Sequence, residues 1–136
     1  MEPMVAYKGL RARLAGDNSL ITLLGGTAIY AQQAPANSAL PYVVMALGGG
    51  GDTNLTRPAM YDYRVLIKCV AKAPLTAGSA AALIYARLHQ AQANMSLDAP
   101  YTCYDLSRLT VFEFVENVER DQFWHAGGIY RLRANA

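Results

Sequence analysis

The chain has 136 residues, 53% of them hydrophobic and 16% charged, with a net charge of +2. That length holds one domain with a core of its own, residues 1–136, and so small a charge excludes a strong field for nucleic acid or an anionic membrane. The charged share lies below the ~25% usual for soluble domains, which points to an oligomer whose partners cover part of its surface.

The first helix is predicted over residues 3–15, with Pro3 in its first turn and Gly16 as a left-handed stop. Tyr7, Leu10 and Leu14 form its apolar stripe, and Lys8, Arg11 and Arg13 face water. Asp17 then caps a short helix holding Leu20, Leu23 and Leu24, which ends at Gly25-Gly26. A short strand over Ala28–Gln32 precedes a loop, and Pro41 marks the entry of a strand over Leu40–Leu47. Gly48 to Asp52 reads as a mobile hairpin tip or a point of close approach, closed by Arg57-Pro58.

Met60–Lys72 alternates as a half-buried antiparallel strand, with Tyr61, Tyr63, Val65, Ile67, Cys69 and Ala71 on one face. Thr76 is expected to cap a helix reaching about Ala93, whose stripe is Ala81, Ile84, Leu88 and Ala91. Two long strands follow, Ser107–Glu119 and Gln122–Arg133, joined by a tight turn near Arg120-Asp121. Their length exceeds the usual ~5–6 residues and suggests a twisted arm. The expected class is α+β: an antiparallel sheet with helices packed on it and a long C-terminal hairpin.

Residues that could carry chemistry do not form a site. The glycine run lacks the Gly-Lys-Ser/Thr ending of a phosphate loop and is followed by Asp52. His89, His125, Cys69 and Cys103 lack metal-ligand spacing, so each histidine is expected to be satisfied or exposed and each cysteine to be a buried free thiol in a reducing compartment. Glu113, Glu116, Glu119 and Asp121 lie on alternating faces of a strand and its turn, which suits a solvated or subunit-contact row better than acid–base work. The expectation is no enzyme and no cofactor. The contrasting alternative, a small α+β enzyme or ligand-binding domain, would need His125, Tyr130 and a carboxylate in one pocket. Residues 1–90 carry eight Lys/Arg against four Asp/Glu, and 91–136 carry four against six.

No apolar run approaches the ~20 residues of a bilayer span, and Met1–Gly9 lacks the regions of a signal peptide, so synthesis in a cytoplasm and no membrane partner are expected. The candidate contact residues are Asp52, Arg57, Glu116, Glu119, Arg120, Asp121, Phe123 and Trp124. Phe123 and Trp124 are adjacent on a strand and point to opposite faces, and aromatic side chains are common interface anchors. Trp124 is the expected anchor.

The order Gly25-Gly26-Thr27-Ala28-Ile29-Tyr30, Leu40-Pro41-Tyr42-Val43-Val44, a strand entering an alanine-rich helix, and the ending His125-Ala126-Gly127-Gly128-Ile129-Tyr130-Arg131 resembles the tail-terminator (tail-completion) proteins of long-tailed bacteriophages. The resemblance covers about Pro3 to Arg133. It implies a small α+β subunit without catalytic residues, located in the virion tail or neck and assembled in the host cytoplasm. It further implies a six-membered ring that caps the tail tube, ends its growth and offers a surface to the head. The implied partners are other copies, the tail tube protein and a head-completion or neck protein, with DNA passing through the ring unread. Head-closure or head–tail joining subunits are the alternative within the same class.

Overall fold

Helix α1 (Pro3–Ala15) starts at its proline, and α2 (Asn18–Leu24) starts where the Asp17 carboxylate accepts from the Ser19 N–H at 3.0 Å and the Leu20 N–H at 3.3 Å. A cap of this kind contributes about 1 kcal/mol. Gly25 closes α2 with φ 75°, the left-handed conformation that glycine adopts without strain. Gly16 does not do this for α1. Its φ is −79°, and its missing side chain instead makes room for the Arg87 guanidinium, whose terminal nitrogen lies 2.7 Å from where a Cβ would sit.

The strands are β1 (Ile29–Ala31), β2 (Tyr42–Thr53), β3 (Met60–Ala71), β4 (Thr102–Val118) and β5 (Asp121–Asn135), with α3 (Pro74–Leu88) between β3 and β4. This computed structural model describes residues 1–53 and 60–136. One sheet results, in the order β1-β2-β3-β5-β4, antiparallel except for the parallel β1–β2 pair. The fold is α+β with a long C-terminal hairpin.

Two expectations are corrected here. Gly48 to Asp52 is strand rather than hairpin tip: β2 runs to Thr53, opposite Met60, with a register shift between Leu47 and Gly49. Backbone pairing with β3 supplies the order that side chains cannot, and the glycines absorb the irregularity, Gly50 at φ 122°. Arg57-Pro58, expected to close the loop, lies outside the described residues. In α3 the cap is Ala73 with Pro74 in the first turn, so Thr76 sits inside the helix; the helix stops at Leu88, before a single 3₁₀ turn at Gln92–Asn94. Proline fixes the start because its ring presets the helical φ and its missing N–H needs no partner there.

The alternation read in β3 holds. Val65, Ile67 and Cys69 are fully buried, and they join Val43, Met45, Tyr130 and Leu132 from neighbouring strands beneath Leu10, Leu14, Leu20, Ala77, Ala80, Ile84 and Leu88 of the helices. Burying each of the larger aliphatic side chains contributes about 2 kcal/mol. On the opposite sheet face lie Val44, Lys68, Val70, His125 and Phe114, outside that cluster.

Strands β3 and β5 meet closely at Gly127, where a Cβ would collide with the backbone of Ile67 and Lys68. Gly127→Ala should therefore lower stability by about 2 kcal/mol, since backbone cannot yield as a flexible side chain can. Gly78→Ala should do the reverse: nothing lies within 4 Å of its Cβ position in α3, and alanine is the better helix former by up to ~1 kcal/mol. Paired thermal melts check both, and a Gly127→Ala protein as stable as the parent would contradict the close-packing reading.

Candidate assembly surface

Beyond the pair Ala71–Trp124, β5 has no partner in β3 and continues with β4 alone, through Glu116–Phe123, Asn117–Gln122 and Val118–Asp121. This overhang is a two-stranded arm. Glu119, at φ 57°, and Arg120 turn the chain at its tip. Glu116, Glu119, Arg120 and Asp121 are all exposed there, as are Phe114, Val115 and Val118 at 46%, 39% and 48%.

The other predicted contact residues are placed differently. Trp124 is half-buried and packs against the core cluster under the helices. Phe123 is half-buried and lines a depression of about 620 Å³ with Leu40, Pro41, Ala71, Lys72 and Thr76. Asp52 lies in β2 with its backbone opposite Tyr61, well away from the arm, and Arg57 is outside the described residues. The arm therefore gathers Glu116, Glu119, Arg120 and Asp121, with Phe123 and Trp124 at its root.

His89 is satisfied, as expected: its Nδ1 accepts from the Arg108 N–H at 3.1 Å and its ring stacks on Tyr85. His125 departs from expectation. It is 6% exposed, neither ring nitrogen has a hydrogen-bond partner, and Phe114 stacks flat on it at 4.4 Å. Lys68 sits over the other ring at 5.5 Å, and Glu116 reaches within 3.9 Å of His125 Nε2. Burial, then the Lys68 charge, push the imidazole below its usual pKa, against the opposing pull of Glu116. Tyr130, five residues on, lies on the helix side of the sheet with its hydroxyl pushed up to about 12 by burial. The pocket that an enzyme would need, joining His125 and Tyr130, is not formed.

The cysteines are inert as packed: burial pushes Cys69 up to about 12 and Cys103 up to about 11. Among the described residues no three His, Cys, Asp or Glu side chains group to hold a metal, and no helix is long and apolar enough to cross a membrane.

One feature escaped the sequence reading. Arg13 and Arg87, each in the last turn of its helix, are interlocked: Arg13 Nε donates to the Arg87 carbonyl at 3.2 Å and Arg87 Nε to the Arg13 carbonyl at 2.9 Å. Each satisfies a helix-end carbonyl that the helix itself leaves open. Burial and the neighbouring Arg87 lower the Arg13 pKa, with Asp17 opposing. The two flank a notch of about 180 Å³ with Gly9, Ala12, Asn94 and Ser96. A basic residue in the last turn of two helices was the available signal, but it does not reveal that the helix ends meet.

Because the folded state disfavours protonated His125, the unfolded chain binds more protons as pH falls through the ordinary histidine value of 6.5. Stability should be full above about pH 7 and should decline from there towards the lowered folded-state value. Asp62 adds acid sensitivity only further down, since its hydrogen bonds to Arg131 hold its carboxyl below the usual 3.8. His125→Phe should flatten the upper part of this profile in melts between about pH 5 and 8; an unchanged slope would assign it to another group.

A family model described as "Tail completion protein gp17" matches residues 8–124. Among solved structures, the chain is similar to a chain from the virion of the native gene transfer agent (GTA) particle, with TM-score 0.72 and 24% identity over 96% of this chain and 94% of that one. At that identity the likeness establishes the fold. No curated protein sequence matches significantly.

Proposed function

From the premise that this chain belongs to the tail completion protein gp17 family, a structural protein of the virion tail, we propose that six copies form a ring on the end of the tail tube. The ring stops tube growth and presents the surface to which the head is joined. The family match over residues 8–124 is the observation that carries this reading.

The molecule supports it in three ways. His125 and Tyr130, which a small enzyme would have to bring together, fall on opposite sheet faces. The arm exposes apolar and acidic side chains together at the end of the sheet, a composition suited to a protein contact. Four acidic side chains outside the strand-to-strand ion pairs gather on the hairpin, which suits a contact with a basic surface of another copy. Glu116, Glu119, Arg120 and Asp121 are the proposed contact residues, with Phe123 and Trp124 holding the arm root; Asp52 and Arg57 are proposed to meet a second neighbour or the tube.

Particles produced without this chain should carry tails of irregular length with no heads attached, seen directly by electron microscopy. Native mass measurement of the completed end should give several copies per tail. Normal-length tails joined to heads, or a single copy per virion, would overturn the proposal.

A further inference from the structure

Four carboxylates of the body are committed within the subunit. Asp17 caps α2, Asp62 binds Arg131 at 2.7 Å, Asp98 pairs with Lys8 at 3.1 Å, and Asp105 pairs with Arg133 at 2.7 Å. Apart from Glu2 and from Asp52 in β2, the carboxylates left over among the described residues are Glu113, Glu116, Glu119 and Asp121, all on the hairpin. Glu116 lies 3.9 Å from His125, whose pKa burial lowers, and feels the Lys68 charge at longer range; Glu113, Glu119 and Asp121 make no ion pair among the described residues.

Arg13 and Arg87 present the opposite condition. Two guanidiniums are held side by side, half-buried, by bonds that use only their Nε donors, and no described carboxylate lies within ion-pair distance of either. Asp17, the acidic neighbour that Arg13 feels, is already accepting two backbone N–H bonds. Both side chains line a notch whose other walls are small or neutral, Gly9, Ala12, Asn94 and Ser96, and their terminal nitrogens make no described hydrogen bond. Fixed, planar, forked donors without a counter-ion are what a carboxylate selects.

The two features lie at opposite ends of the subunit. The arm tip projects past the end of β3 where α3 begins, while Arg87 is in the last turn of α3, two residues before His89, which accepts from the Arg108 N–H opposite Tyr130. From Asp121 to Tyr130 the strand rise of ~3.3 Å per residue gives a separation of about 30 Å. The arm therefore cannot fold back onto its own notch.

We propose that the arm tip of one copy, through Glu116, Glu119 and Asp121, docks on the Arg13–Arg87 notch of a second copy, head to tail. Such a contact uses different surfaces on the two partners, so it propagates until it closes a ring. This inference rests on the ring reading above and names the surfaces that make it.

Charge reversal tests it. An arm-reversed protein, E116K/E119K/D121K, and a notch-reversed protein, R13E/R87E, should each lose assembly, raising the concentration at half-assembly by about tenfold or more. An equimolar mixture should restore the oligomer with the two proteins alternating, because each arm then meets a notch of opposite sign. Light scattering and native mass spectrometry read both results. Either variant assembling alone like the parent, or a mixture of folded proteins that stays dissociated, would overturn the contact while leaving the ring intact. A parent chain that never assembles would instead overturn the ring, and the contact with it. Arg87→Lys gives a second readout that does not depend on the folding of R13E/R87E. Carbodiimide coupling should link the introduced amine to a carboxylate between positions 116 and 121 of another copy, and linkage only elsewhere would overturn the assignment.

Discussion

Strand β5 pairs on both sides, with β3 and with β4, but it begins before β3 ends. Everything characteristic of the molecule depends on that mismatch. Where β5 has two neighbours, its alternate side chains are sealed beneath the helices and its backbone is tight enough to require Gly127 against Ile67. Where it has only β4, no helix covers either face and the same hairpin becomes an arm. A strand pair alone is marginal in water, so the arm keeps its shape by continuity with a sheet held elsewhere.

The electrostatics follow the same division. Within the body, acids and bases meet across adjacent strands: Asp62 with Arg131 and Asp105 with Arg133 lie on the helix-free face and fix register there. Exposed pairs of this sort add little stability. Their larger effect is to commit the carboxylates of Asp62 and Asp105 within the sheet, leaving Glu113, Glu116, Glu119 and Asp121 of the hairpin outside such pairs. A net charge of +2 conceals an acidic cluster on the hairpin.

Much of this was legible in the residues. The helix stripe of Tyr7, Leu10 and Leu14, the Asp17 cap, the period-two pattern of β3 and the unusual length of the last two strands each reflect one local rule, and each holds. The failures have a common cause. Gly48 to Asp52 carries no side chain to announce a strand, and only the presence of β3 alongside makes it one. Thr76 is a good cap by type, but Pro74 two residues earlier had already set the helix start. His125 gave no sign of burial, because the residue that covers it, Phe114, comes from another strand. The Arg13–Arg87 pair joins positions far apart in the chain, and spacing rules have no reach over such distances.

The free edge of β4 has a further consequence. It is long and bears Val111, Phe114, Val115 and Val118 in the open, which is the description of an edge that recruits other strands without limit. Two irregularities, at Cys103/Asp105 and at Arg108/Thr110, spoil its lower half as a template. The outer half is regular, and there Glu113 and Glu116 stand on the strand with Glu119 in the turn that ends it. A second β4 laid along this edge would bring like charges together in nearly any register. The acids thus act as gatekeepers against fibre growth, confining the subunit to contacts that end.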